Sequence, residues 1–321
     1  MMLNQSIQGL RAIAICFVLG FHFFPGIFPG GFVGVDIFFV ISGYLITNNI
    51  TKQKKLSIVT FYVARLKRLM PALIAVLSTT IILGYFLLWP YEFRTLGNEI
   101  IFAELFLSNF YYMKKLGYFD SNHFHYKLQM LWSLGIEVQF YLIWPLIIKI
   151  YQTYFKFILL LLVLISFCLI LIFQEYQENY FYNPICRLWE FGIGGMISTL
   201  RAKKIHNINM YIGILLLIIS IFCFNKDMLY PSFVTLLPVI GTSLILMSKK
   251  NIWSRIFLES SLSKYIGNIS YPLYLWHWPV LTFFVLLYPH PLEIYIKFLL
   301  IFFSLLLAVL TNKYIERILQ S

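Results

Sequence analysis

The chain has 321 residues, of which 60% are hydrophobic and 12% charged, and its mean hydropathy is +0.80. Soluble domains carry roughly 45–50% apolar and about 25% charged residues, so water is not the solvent of this protein, and no polar block is long enough to fold as a separate soluble domain. The formal net charge of +12 would point to nucleic acid in a soluble protein; in a membrane protein it is the excess of Lys and Arg that gathers on cytoplasmic loops, and no nucleic-acid partner is expected.

Apolar runs separated by charged breaks predict an all-α integral membrane protein. Ten spans are expected near 8–26, 31–48, 70–89, 132–150, 157–174, 184–200, 209–224, 229–248, 268–288 and 293–313. The first run lacks a basic leader and a small-residue cleavage site, and it reads as a span rather than a signal peptide. The stretch 90–131 is an outer loop. Its apolar part, 100–113, is short and carries Glu104, which predicts an interfacial or re-entrant segment. With both termini cytoplasmic, 18 of the 25 Lys and Arg fall on the inner side, as the positive-inside rule requires. Counting 100–113 as a span would invert every later loop and destroy that asymmetry. No internal repeat is visible, which weighs against a transporter built from inverted halves.

Ionisable groups inside spans are costly, so each is a candidate for function. Arg11 and His22 share the first span. At about 100° per residue they lie within about 20° of one helix face, about 16 Å apart along the axis. Arg11 would sit near the cytoplasmic edge, as a ligand group or a snorkelling anchor, and His22 in the outer half, as a base or a structural hydrogen-bonding group. The turn PGIFPGGFVG then returns the chain, bringing Asp36 to a depth similar to that of His22. A carboxylate there either orients the imidazole of a general base or pairs with backbone or an arginine.

The basic segment TKQKKLSIVTFYVARLKRLMP places Arg65 and Arg68 three residues apart on one face of a helix start. Two guanidiniums so spaced suit a phosphate or diphosphate, although positive-inside charge alone explains them too. Glu137 lies one to two turns inside LWSLGIEVQFYLIWP and is a second acid–base candidate or a partner for His22. Arg187 and Glu190 in PICRLWEFGIGG form an i, i+3 pair with a structural role. His277, beside Trp276 in SYPLYLWHWP, is mid-span at a site suited to a polar ligand or to structure. The four cysteines, Cys16, Cys168, Cys186 and Cys223, have no metal-ligand spacing and read as small hydrophobes, so no metal is expected.

Taken together, IQGLRAIAICFVLGFHFF, GGFVGVDIFFVISGYLIT, FYVARLKRLMPAL, LGYFD, LWSLGIEVQFYLIWPL, RLWEFGIGG, ISYPLYLWHWPVL and the terminal YIER resemble the acyltransferase 3 family almost end to end. The resemblance implies one ten-span acyltransferase domain over 1–321 in the bacterial cytoplasmic membrane. It implies acetyl-CoA or another acyl-CoA as donor and a hydroxyl of an extracytoplasmic glycan, free or lipid-linked, as acceptor. Within it His22 would be the catalytic residue of an Arg-x10-His motif, Arg65 and Arg68 would hold the coenzyme phosphates, and Glu137 would occupy the acidic position of the fourth span. The family's usual Glu-Glu pair is Glu137 and Val138 here, and a His common before LWSL is Met130, so a mechanism that needs two adjacent carboxylates is not expected. Many relatives continue past YIER into a further span and an esterase-like SGNH domain; this chain stops at Ser321, which fits a stand-alone form or a fragment. A permease or flippase, and an acyltransferase for a small molecule or membrane lipid, are the competing readings. A homo-oligomer is compatible with all of them.

Overall fold

A computed structural model of the chain describes residues 2–52, 57–115, 117–119, 124–150, 153–173, 180–200, 208–248 and 254–317. The described residues are mostly helical, with no β-strand among them. In chain order the helices are α1 (Met2–Phe23), α2 (Gly34–Lys52), α3 (Ile58–Leu87), α4 (Pro90–Glu104), α5 (Ser108–Met113), α6 (Leu131–Ile150), α7 (Phe155–Phe173), α8 (Pro184–Thr199), α9 (Ile208–Cys223), α10 (Leu236–Met247), α11 (Ser261–Leu287) and α12 (Ile294–Thr311). Among the described residues, six helical segments are long and apolar enough to cross a bilayer: Gln5–Phe23, Gly31–Lys52, Ile58–Leu87, Leu131–Ile150, Phe155–Phe173 and Ile294–Glu316. The protein is an all-α membrane protein.

Each expected span coincides with a helix, and the edges differ where local chemistry sets them. α3 begins at Ile58 rather than near 70, because Ser57 caps it by accepting the Thr60 N–H at 3.3 Å. At 30 residues it is about 45 Å long, so its first turns carry Arg65 and Arg68 and its later turns form the apolar span. The span expected at 229–248 starts only at Leu236. Ser232 instead caps a short 3₁₀ turn, Phe233–Thr235, and the backbone before it runs as a loop that buries Tyr230. Between α3 and α6, the 15-residue α4 and 6-residue α5 occupy the segment expected to be interfacial.

Two compact units divide the chain. The first comprises 1–56 and 140–268. Its core joins Ile7, Leu10 and Ala14 of α1 to Ile37, Ile41 and Tyr44 of α2, with Ile197, Met210, Leu217 and Ile245 from later helices. α2 and α8 run together so closely that a side chain on Gly43 would meet the Phe191 backbone, and one on Gly194 the Val40 backbone. This is the small-residue seam by which helices associate in lipid, where dispersion between close backbones replaces a hydrophobic drive. Phe191 stacks on Phe39 and Phe140 at 4.5 and 4.4 Å between ring centroids, and Trp144 donates to the buried Thr47 hydroxyl at 2.7 Å.

The second unit comprises 57–139 and 269–321. Hydrogen bonds between polar groups tie it together. Tyr271 donates to the Leu69 carbonyl at 2.9 Å, Trp276 to Thr311 at 2.8 Å, and Tyr274 to the Met130 carbonyl at 3.0 Å while also bonding Ser133 at 2.7 Å. In both units large apolar side chains point outward: Leu164 and Ile172 on α7, Ile82 and Phe86 on α3, Phe298 and Phe302 on α12. In water such faces would drive aggregation; in hydrocarbon they are the solvated surface.

Candidate active site

Arg11, His22, Asp36, Arg187 and Glu190 belong to the first unit, and Arg65, Arg68, Glu137, Trp276 and His277 to the second. α1 is unbroken from Arg11 to His22, so the sequence-based spacing along one face holds as geometry. Both side chains are half-buried. Arg11 donates to Gln8 at 3.3 Å, and the His22 Nε2 is shielded from solvent. A succession of ring contacts leads away from His22: Phe21 lies at 5.1 Å from the imidazole and 5.3 Å from Phe32, and Phe32 at 4.7 Å from Tyr230.

Tyr230 ends that succession on Asp36. Its hydroxyl donates to Asp36 Oδ2 at 2.6 Å, and Arg187 donates to Oδ1 at 3.0 Å. Of the two sequence readings of Asp36, imidazole partner or ion pair, these contacts fill the second. Arg187 also donates to Glu190 at 3.1 Å and, through Nε, to the Phe181 carbonyl at 3.3 Å, and its guanidinium lies 4.7 Å from the Phe181 ring centre and 5.5 Å from that of Tyr230. Asp36, Arg187, Glu190 and Tyr230 are all at most 1% exposed. One guanidinium therefore spans α2 and α8, and the i, i+3 pair seen in sequence is half of a larger clamp. The tyrosine was not visible in the sequence, since nothing local distinguishes it.

In the second unit, Arg65 and Arg68 lie on one face of α3, both half-buried, with the Arg65 guanidinium 5.3 Å from the Phe61 ring centre. Glu137 is half-buried on α6. Two residues on, Gln139 donates to the Phe106 carbonyl at 2.9 Å and Asn109 at 2.8 Å, fixing the α4–α5 turn, where Phe106 has the left-handed φ of 56°. His277 is fully buried, its Nδ1 2.6 Å from the Tyr274 carbonyl of its own helix. These contacts engage one ring nitrogen of His277 with α11 itself.

One buried acid escaped the sequence reading. Glu104, singled out there, is exposed, whereas Glu99 is 1% exposed. The signal was present in the spacing: Leu96, Glu99, Ile100 and Ala103 form the buried stripe of α4. Glu99 accepts from the Leu128 N–H at 2.7 Å, the Tyr112 hydroxyl at 2.9 Å and the Lys127 N–H at 3.3 Å, pinning α4 to the entry of α6. Burial pushes its carboxyl from 4.5 up to about 7, and the three donors and the Lys127 charge pull it only partly back. The folded protein thus holds this proton more tightly than the unfolded chain. Its stabilising contribution is full below pH 4.5, falls as pH rises toward 7 and levels off above that, a span on the order of 3 kcal/mol. Thermal midpoints in detergent should therefore drop between pH 5 and pH 8, and Glu99→Gln should remove that part of the slope; an identical slope in the variant would assign the pH dependence elsewhere.

The sequence profile described as an acyltransferase domain matches residues 4–313. The peptidoglycan O-acetyltransferase OatA of Listeria monocytogenes is 30% identical over 307 residues, covering 86% of this chain and 49% of its own length. BcsY of Komagataeibacter xylinus, whose name proposes a membrane-bound transacylase, is 29% identical over 288 residues, 86% of this chain and 72% of BcsY. A Staphylococcus aureus (strain COL) protein whose name proposes an O-acetyltransferase is 30% identical over 341 aligned positions, 97% of this chain and 56% of that protein. The chain thus spans about half to three quarters of the length of these relatives. No solved structure matches it. With a profile match running through both compact units and apolar helices that suit a bilayer, this chain is a multi-pass membrane protein belonging to the acyltransferase 3 family.

Proposed function

We propose that the protein is an O-acyltransferase that moves an acetyl or other acyl group from cytoplasmic acyl-CoA to a hydroxyl of an extracytoplasmic glycan. The observation that carries this reading is the Arg11–His22 helix face: a cation midway along α1 and a solvent-shielded imidazole nitrogen in its last turn, in a chain of this family. The names of its relatives, peptidoglycan O-acetyltransferase among them, support a glycan acceptor.

His22 is the general base. It takes the proton of the acceptor hydroxyl as that oxygen bonds to the acyl carbonyl carbon; the carbon–sulfur bond then breaks, and His22 returns the proton to the departing thiolate. The thioester supplies the activated acyl group. Arg65 and Arg68, three residues apart on α3, offer a paired guanidinium fork of the kind that holds phosphates, with Arg11 as a further cation. Glu137 is a second acid–base group of the reaction. Asp36 acts through the Arg187 clamp, as a positioning residue that fixes α2 to α8. Trp276 and His277 serve the second unit as structural or acceptor-facing groups.

Membranes bearing the wild type should move radiolabel from acetyl-CoA into extracted envelope glycan, and His22→Ala should lower that transfer by about 10²- to 10⁴-fold while acetyl-CoA still binds. A His22→Ala protein that folds, binds acetyl-CoA and turns over normally would end the model. Failure of the wild type to bind any acyl-CoA, together with movement of a lipid-linked sugar and no covalent product, would establish the permease reading instead.

A further inference from the structure

Outside the residues assigned above, the second unit holds a cavity of about 420 Å³ between α4, α5 and the segment leading to α6. Its size falls at the small end of ligand sites, which run from about 300 to 1,000 Å³. Three tyrosines, Tyr91, Tyr111 and Tyr126, contribute to its walls, each from a different chain segment. Tyr91, Thr95 and Asn98 stand at i, i+4 and i+7 on α4, so one stripe of that helix faces the cavity while the adjoining stripe, Leu96, Glu99, Ile100 and Ala103, is buried. Glu92, Lys115 and His125 complete the polar lining.

We propose that this cavity binds a pyranose unit of the acceptor glycan, as a subsite for its chain; the proposal rests on the reading of the protein as a glycan acyltransferase. The chemistry of the lining selects that class. Tyrosine rings offer flat apolar faces for the C–H faces of a sugar, and their hydroxyls are donors and acceptors at the ring edge. The Asn98 amide, the Thr95 hydroxyl and the His125 ring add groups of both kinds, as a molecule covered in hydroxyls needs. Glu92 and Lys115 oppose each other in charge, so the lining favours neither an anion such as a coenzyme phosphate nor a cation. A lipid tail or apolar helix would leave these polar groups desolvated without partners.

The cavity is also built rather than incidental. Tyr126 is held by Trp278, whose indole N–H donates to its carbonyl at 2.9 Å, and Phe124 stacks on the same indole at 5.6 Å. The next two residues are pinned through their amides by Glu99, which Tyr112 also grips. Glu92 accepts the Trp89 N–H at 3.1 Å and so fixes the start of α4. Walls set in this way lose little freedom when a ligand enters, which favours binding of a weakly held group such as a sugar. The segment follows α3, whose first turns carry the cytoplasmic arginines, and so lies where the charge distribution expects the outer side.

The test uses the full chain in lipid nanodiscs, with N-acetylglucosamine tetramer and cellotetraose as probes, followed by saturation-transfer NMR and titration. Wild type should bind at least one of them, and Tyr91→Ala/Asn98→Ala should weaken that binding by about tenfold. Both residues are exposed, so the double variant should fold. Glu104→Gln, exposed on α4 and outside the cavity, should bind as wild type does. The same double variant should raise the KM for the envelope glycan acceptor by a similar factor. Wild type that binds neither probe, or a double variant with wild-type affinity, would overturn the subsite. Cavity-dependent sugar binding in a protein that acylates no glycan would keep the subsite and defeat the acyltransferase reading; glycan acylation with a KM indifferent to Tyr91 and Asn98 would do the reverse.

Discussion

Replacing Arg187 by methionine should destabilise the folded protein by about 3–5 kcal/mol, the range for removing one partner of a buried ion pair. The guanidinium is 1% exposed and meets two carboxylates, Asp36 at 3.0 Å and Glu190 at 3.1 Å, as well as the Phe181 carbonyl. Without it both carboxylates remain buried between α2 and α8, with the Tyr230 hydroxyl still donating to Asp36. Lysine should rescue little, because a single ammonium lacks the fork that reaches Asp36, Glu190 and the Phe181 carbonyl at once. The triple variant Asp36→Asn, Arg187→Met, Glu190→Gln should regain much of the loss, since it removes the charges together. Thermal midpoints and the yield of monodisperse protein in detergent would read the effect. An Arg187→Met protein as stable as wild type would show that the clamp does not hold α2 to α8.

The second large effect is steric. Gly43→Leu or Gly194→Leu should cost about 3 kcal/mol or more, at the upper end of what overpacking produces, because the added carbons meet backbone rather than the end of a flexible side chain. The Phe191 backbone blocks the first, and the backbone of Val40 and Tyr44 the second. The helices would have to move apart, carrying with them the Phe39–Phe191 stack and the clamp one turn away. Gly97 gives the contrast. A Cβ there meets nothing within 4 Å, so Gly97→Ala in the interior of α4 should stabilise by about 0.5–1 kcal/mol through helix propensity. Thermal midpoints of the three variants test the pattern; a mild effect at both seam positions would mean that α2 and α8 can separate without cost.

What the chain dictates by itself is largely a matter of length and transfer free energy. Runs such as Phe155–Phe173 cannot remain in water, and each expected span overlaps a helix because backbone groups in hydrocarbon must be satisfied within their own segment. Polar groups stranded in those runs, Arg11, His22, Asp36, Glu137, Arg187 and Glu190, stand out for the same reason. Eight ordered motifs were enough to indicate the family that the profile match shows. Which face of each helix is buried was far less legible. In lipid both faces of a helix are apolar, so α7 shows no contrast between Phe155, Leu159, Val163 and Ile170, which are buried, and the leucines around them. α4 did carry a readable stripe, and that stripe held Glu99.

Partnership was decided by tertiary structure alone. Asp36 is 151 residues from Arg187 and 194 from Tyr230, and its depth in the membrane was equally consistent with an imidazole partner. The glycine seam between α2 and α8 brings the two backbones close enough for one guanidinium to reach both carboxylates. Likewise, the cavity beside α4 gathers tyrosines from positions 91, 111 and 126, and Glu99 and Trp278 hold that part of the chain in place. Hydropathy fixes which segments leave water, because that free energy sums along the chain; the choice among apolar faces turns on close packing and on pairing of buried charge, which exist only once distant segments have met.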